Sequence, residues 1–232
     1  MLAIIGALDE EVSGLRREMA VTETSAHPTV YFGRCRGGKE VVLARSGVGR
    51  ERAERAVRAV CERYPVTGVV SLGFGGALTP ALRAGDLIVS TAVKCPDAGE
   101  CFASDPQLVS LAGGRCGTGV SVSDLAPDSA AKRQLGVSYA ADVVDMECYW
   151  VARLAAEKGI PFLSVRAVSD GVDETVPNLF PDGTRLGLVM AVARHPVRVF
   201  GRPIALWRLY RNVRKAKANL TQFTLKLIEA AG

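Results

Sequence analysis

Apolar residues along this chain alternate between short continuous runs and longer stretches with helical spacing. The runs predict strands over residues 2–8, 66–72, 86–93, 143–145 and 161–165. Between them, helices are predicted over 9–19, 50–64, 128–135 and 146–159. The first opens on three acids suited to the positive end of its dipole, and the last is closed by Gly159 and Pro161. Val30-Tyr31-Phe32 and Val41-Val42-Leu43-Ala44 flank Gly37-Gly38 and predict a hairpin within 28–46. Gly73-Phe74-Gly75-Gly76 reads as a glycine-rich turn ending the 66–72 strand, and residues 94–116 read as loop. Strands alternating with helices imply an α/β fold. The expected architecture is a single-domain three-layer sandwich around a mixed, mainly parallel central sheet.

In sheets of this kind ligands bind beyond the carboxyl ends of the strands. The loop Ser46-Gly47-Val48-Gly49, the 73–76 turn, the acids Asp145 and Glu147, and the pair Ser169-Asp170 all fall at such ends. The cluster Asp9-Glu10-Glu11 follows the first strand directly. A carboxylate at the end of a buried strand must be hydrogen-bonded or functional, because burying it ionised and unpartnered is very unfavourable. Three acidic groups that could converge make a hydrolase-like constellation.

Composition narrows the chemistry. With 48% apolar and 23% charged residues over 232 positions, one large core is attainable and global disorder is excluded. The start Met1-Leu2-Ala3-Ile4-Ile5-Gly6 has no basic leader segment, and no apolar run reaches about 18 residues, so a cytoplasmic protein is expected. The six cysteines form no CxxC pair, which speaks against a zinc site or a disulfide framework. His27 and His195 each neighbour a proline and have no ligand-spaced acids or cysteines, so they read as loop residues. Acid–base work therefore falls to carboxylates, with no metal or cofactor implied. The net charge of +5 is uneven: residues 1–183 carry 19 Lys and Arg against 23 Asp and Glu, whereas 184–232 carry 10 against one.

Taken together, the motifs resemble the purine nucleoside phosphorylase and nucleosidase superfamily. Gly6-Ala7-Leu8-Asp9-Glu10-Glu11-Val12 is similar to the opening of 5′-methylthioadenosine/S-adenosylhomocysteine nucleosidases. Ser46-Gly47-Val48-Gly49, Gly73-Phe74-Gly75-Gly76-Ala77-Leu78, Val144-Asp145-Met146-Glu147 and Arg166-Ala167-Val168-Ser169-Asp170 follow in the family's order over residues 1–175. The resemblance implies cleavage of a ribose–purine bond through an oxocarbenium-like sugar. Asp170 would protonate the purine N7, Glu147 would accept from ribose hydroxyls above a floor made by Met146, and Glu11 would activate water. Arg166 and Ser169 would orient the strand end, and Ala7, Val48, Phe74, Gly75, Gly76 and Asp145 would line the substrate site. A carboxylate at the water position favours hydrolysis over phosphorolysis, although Arg45 and Arg50 near the same loops could receive an anion. The chain departs from the family pattern in three places. Asp145 stands where glutamate is usual, Phe74 stands where a small hydroxyl residue is usual, and residues 94–125 offer no clear base-stacking aromatic.

Beyond residue 183 the resemblance fades. Ile204, Leu206, Leu209, Tyr210, Val213, Ala216, Leu220, Phe223 and Leu227 form an apolar stripe, with Arg208, Arg211, Arg214, Lys215 and Lys217 on other faces. The chain thus divides into a catalytic core, 1–183, and a basic amphipathic helical extension of the same domain, 184–232. The extension reads either as a helix packed on the core or as a contact with an anionic membrane; nucleic acid is disfavoured for want of a motif. A nucleosidase body with such a tail resembles the hopanoid-associated phosphorylase branch, which implies adenosylhopane as substrate, adenine as product and work at the inner face of the membrane. Kept open beside it are a phosphate-dependent phosphorylase, a soluble nucleosidase for methylthioadenosine or S-adenosylhomocysteine, and a non-enzymatic peripheral membrane scaffold. The family resemblance implies a homodimer.

Overall fold

A computed structural model describes residues 1–124, 128–174 and 203–231, with side chains of the last segment described from Tyr210 onward. The chain builds ten strands and six α-helices among these residues. In order they are β1 (Leu2–Gly6), α1 (Asp9–Arg17), β2 (Ala20–Ala26), β3 (Thr29–Arg34), β4 (Glu40–Arg45), α2 (Arg50–Arg63), β5 (Gly68–Ala77), β6 (Leu87–Cys95), β7 (Ala98–Ala103), α3 (Pro106–Ala112), β8 (Cys116–Ser121), α4 (Ser129–Tyr139), β9 (Val143–Asp145), α5 (Cys148–Glu157), β10 (Phe162–Asp170) and α6 (Pro203–Ala230). Among the described residues no helix is long and apolar enough to cross a membrane.

All ten strands join one mixed sheet. Its centre is parallel: β1 pairs with β4 and β5, and β5 pairs with β10. Antiparallel pairing enters at the β2–β3–β4 meander, at β6–β7, and where β10 meets β6 and β5 meets β9. Because β5 pairs with both β10 and β9, the strands β5, β10, β6, β8 and β9 close on themselves into a barrel-like ring. Helices cover both faces. On one, Ala53, Val57 and Val60 of α2 and Tyr149, Trp150 and Leu154 of α5 pack on Ala3, Val42 and Val69. On the other, Val12 and Leu15 of α1, Leu108 of α3 and Ala216, Leu220 and Leu227 of α6 pack on Ile4, Leu43, Val70 and Leu163.

The glycine-rich segment 73–76 is strand, not the turn predicted from sequence. Register with β10 continues from Arg166↔Gly73 to Asp170↔Gly76, so these residues keep their sheet partners. Glycine is needed there for close approach: a Cβ on Gly73 would lie 2.8 Å from Glu11 Oε1, and one on Gly75 would lie 2.5 Å from Val143 Cγ2. The 94–116 stretch, predicted as loop, holds β7 and α3. Its helix is set by Asp105, whose side chain accepts from the N–H groups of Gln107 and Leu108, with Pro106 at the first helical position. The edge strand β2 also escaped prediction, since its residues are mostly exposed and show no apolar alternation.

The tail stripe forms the inner face of α6. Ala216, Leu220, Leu227 and Ile228 are buried, and Lys217 Nζ donates to Ser13 Oγ of α1 at 2.7 Å. Tyr210 departs from this pattern at 62% exposed, and Arg214 and Lys226 lie on the outer face, whereas Lys215 reaches back to donate to Ala84 O at 3.2 Å. Ile204, Leu206 and Leu209 of the predicted stripe, and His195, lie outside the described residues or side chains. His27 is exposed in the β2–β3 turn.

Candidate functional site

The ends of β1, β9 and β10 each deliver an acid or lead directly into one, and the acids after β1 and β9 meet beside the Gly73-Phe74 segment of β5. Glu11 sits in the first turn of α1, immediately after β1. Its side chain folds back so that Oε2 accepts from the N–H groups of Ala7 (2.7 Å) and Leu8 (2.8 Å), while Oε1 accepts from Phe74 N–H at 2.7 Å. The first two bonds cap its own helix, the third ties the helix to β5. Glu11 is 5% exposed, and burial raises its pKa above the ordinary carboxylate range despite those donors.

Glu147 follows β9 at the start of α5. It is partly buried, and Oε1 accepts from Gly49 N–H at 2.9 Å. Burial, with the charges of Asp145 and Glu11 added, pushes its pKa up to about 8. Among the described residues, no basic side chain forms a salt bridge with either glutamate. A narrow cleft brings together Ala7, Glu11, Ser46, Ser71, Phe74, Glu147 and Arg166.

Beneath this cleft lies a buried ion pair. The Arg166 guanidinium donates through Nε to Asp145 Oδ2, through Nη1 to Ser71 O at 2.9 Å and through Nη2 to Ser71 Oγ at 2.8 Å. Asp145 also accepts from Ser121 Oγ at 2.5 Å and from the Glu147 and Cys148 N–H groups at 3.3 Å. Its oxygens are thus taken up by protein donors, and although burial works against the guanidinium charge, the Asp145 carboxylate beside it holds the Arg166 pKa above its ordinary value. The pair fixes the β9–α5 corner on which Glu147 stands. Ser121 and Ser71, the hydroxyl partners, are small residues within apolar strands, and nothing in their local sequence distinguishes them from core serines.

Asp170 ends β10 away from the cleft lining. Oδ1 accepts from Ser169 Oγ at 2.5 Å, and Oδ2 accepts from Lys132 Nζ. Ser169 Oγ also lies 3.3 Å from Gly75 O, and a Cβ on Gly76 would lie 3.1 Å from Asp170 Oδ2, so this acid is pressed against β5. Lys132 was not a sequence candidate. It lies on α4 among Ala130, Ala131 and Leu135, where a lysine would ordinarily face solvent, and only the tertiary partner shows otherwise. Val48 and Met146 are partly buried, in the loop before α2 and between β9 and α5. The two arginines that could have received an anion are engaged elsewhere. Arg45 donates to Thr29 Oγ1 at 3.2 Å, whereas Arg50 pairs with Glu54 at 3.0 Å and lies 4.2 Å over the Trp150 ring.

The family model described as Phosphorylase superfamily matches residues 1–187. The 5′-methylthioadenosine/S-adenosylhomocysteine nucleosidase of Bacillus subtilis is 30% identical over 203 residues, covering 73% of this chain and 85% of that protein. Its counterpart in Bacillus thuringiensis is 32% identical over 200 residues, with 73% and 85% covered. Among solved structures, the Neisseria meningitidis nucleosidase of the same name, in complex with methylthio-immucillin-A, superposes with a TM-score of 0.78 at 23% identity over 98% of both chains. Futalosine hydrolase of Helicobacter pylori superposes with a TM-score of 0.77 at 18% identity, covering 98% of this chain and 97% of that one.

Proposed function

The chain belongs to the phosphorylase superfamily, and on that premise we propose that it hydrolyses the N-glycosidic bond of an adenosyl substrate and releases adenine. It is an enzyme of N-glycosidic bond cleavage, as its homologues are. The observation that carries the hydrolytic reading is the setting of Glu11. Three main-chain N–H groups converge where a phosphate could be cradled, and all three donate to the Glu11 carboxylate instead. A phosphate brought there would meet a carboxylate and no free donor; a water molecule would meet a base whose proton affinity burial has raised.

In this reading the purine leaves as Asp170, protonated at the start of the step, gives its proton to N7 and becomes the carboxylate that Lys132 and Ser169 hold; such proton transfer contributes roughly 10²–10⁴-fold to the rate. Glu147 accepts a hydrogen bond from a ribose hydroxyl, over Met146. Glu11 takes a proton from the water that attacks the anomeric carbon as the C–N bond breaks. Arg166, Asp145 and Ser169 hold these groups in place, and Ala7, Val48, Phe74, Gly75 and Gly76 line the site. Adenine release by wild type and Asp170→Asn, with and without phosphate, tests the proposal. Release by the wild type without phosphate, and a loss of about 100-fold or more in the variant, are expected. A requirement for phosphate would make the enzyme a phosphorylase, and full activity of Asp170→Asn would remove the assigned acid.

The finer reading concerns the group on the ribose 5′ carbon. The excess of basic residues in 184–232 and the exposed Tyr210 beneath Arg214 on α6 support a lipid-linked substrate, adenosylhopane, met by a cytoplasmic protein at an anionic membrane surface, and the family resemblance adds a homodimer. Salt-sensitive sedimentation with anionic liposomes is expected. Equal binding by Arg214→Ala/Lys226→Ala protein would refute the membrane contact and leave the small soluble thioether nucleosides as substrates.

A further inference from the structure

Lys132 is the one buried lysine among the described residues, at 3% exposure. A buried ammonium is tolerated only when its donors are satisfied, and here all three are. Nζ donates to Asp170 Oδ2, to Gly171 O at 3.0 Å and to Glu174 O at 2.6 Å. One nitrogen therefore joins α4, the end of β10 and the turn that follows it. The remaining contacts of this corner tighten the same joint. Gly171 N–H donates to Glu174 Oε2 at 3.1 Å, and Asp173 accepts from Ser129 Oγ at 3.2 Å and from Arg133 Nη2 at 2.5 Å. The Asp128 side chain caps α4 by accepting from Ala131 N–H at 2.9 Å.

With Oδ1 fixed by Ser169 and Oδ2 by Lys132, the Asp170 carboxylate has a single orientation against Gly76. A carboxylate that must meet a ring nitrogen needs its plane fixed, and an error of about 1 Å in such placement lowers a rate by roughly 100-fold. We propose that Lys132 is the positioning residue of the base-release step: the Asp170 carboxyl enters that step protonated, gives its proton to N7 as the C–N bond breaks, and is left as the carboxylate whose plane Lys132 and Ser169 hold. The proposal rests on the assignment of Asp170 as the acid. It assigns α4 a part in the chemistry although Lys132 does not itself touch the substrate.

Chemical rescue separates this role from a structural one. In Lys132→Ala, kcat for adenine release from methylthioadenosine falls roughly 10- to 100-fold while KM stays within about twofold. Added ethylammonium then restores kcat with saturating dependence, and its neutral isostere ethanol does not. Lys132→Gln keeps donors for the Gly171 and Glu174 carbonyls but leaves Asp170 without a cation, and it is expected to lose kcat similarly. It serves in place of the alanine variant should that one not fold. A folded Lys132→Gln or Lys132→Ala with kcat within twofold of wild type overturns the proposal, as does a loss of kcat that ethylammonium fails to restore in Lys132→Ala. Asp170→Asn, run in parallel, keeps the two failures apart: full activity there removes the acid itself, whereas an inactive Asp170→Asn beside an unaffected Lys132 variant removes only the positioning role.

Discussion

The two poles of the site treat the same functional group in opposite ways. At the β1 and β9 pole, Glu11 and Glu147 are held by main-chain N–H groups alone, and both carboxyls are pushed toward the protonated form. At the β10 pole, Asp170 is locked by an ammonium and a hydroxyl. Main-chain dipoles orient a carboxylate while leaving its charge only partly compensated, so burial can raise its pKa above the ordinary carboxylate range. A buried ion pair fixes geometry at the expense of desolvating two charges. The difference suits the roles proposed for each pole: proton exchange with water and contact with sugar at one, a fixed aim at a ring nitrogen at the other.

The strongest way to break the comparison is at Glu11. Glu11→Gln keeps one acceptor for the three amides and removes the base, so adenine release is expected to fall by roughly 10²–10⁴-fold with the fold retained by circular dichroism. Activity within threefold of wild type would mean that this pole does not act on water. Arg166 is the next lever, because its charge acts on both glutamates. Arg166→Met leaves Asp145 buried and unpaired and is expected to lower unfolding stability by about 3–5 kcal/mol in urea titration. The double variant Arg166→Met/Asp145→Asn should recover part of that loss, and no recovery would deny the pair its direct coupling.

Glu147 sharpens the contrast through pH. Its folded pKa, about 8, stands above its unfolded value of about 4.5. The folded state therefore binds the proton more tightly, and the stability this contributes is complete below pH 4.5 and is lost as pH rises toward 8. Glu147→Gln should flatten the stability curve across that window; a slope equal to that of wild type would locate the titration elsewhere. The smallest effect is expected at Gly73→Ala. The new Cβ would meet Glu11 Oε1 at 2.8 Å and push the carboxylate off Phe74 N–H, lowering kcat by about 10-fold, with a modest change in melting temperature. Unchanged kcat would show that the bond to β5 is dispensable.

The same two poles differ in how far the sequence exposes them. The acids of the first pole follow visible strands, and β1, α1, β4, α2 and β10 lie close to where hydrophobic period places them. What local pattern misses is whatever another part of the chain decides. Gly73 to Gly76 look like a turn because glycine is frequent in turns, yet they are strand because Glu11, Val143 and Asp170 crowd their missing Cβ positions. β8 is weakly apolar and gains its place only from β6 and β9 on either side. Lys132 is hidden for the same reason, since its burial depends on three acceptors 38 to 42 positions away. Asp145 is legible as a strand-end acid, but not as the partner of Arg166, because that assignment requires the closed ring of strands.

Docking of α6 against α1 has a consequence for the order of assembly. Lys217 and Thr221 meet Ser13 and Gly14 across some two hundred positions, and Leu220, Leu227 and Ile228 complete the apolar cluster begun by Ile4, Val12 and Leu15. During synthesis the first strand and helix emerge long before the surface that covers them exists. The outer face of α1 is therefore covered only after residue 228 has been made, so the helix that carries Glu11 gains its last packing partner late in the life of the nascent chain.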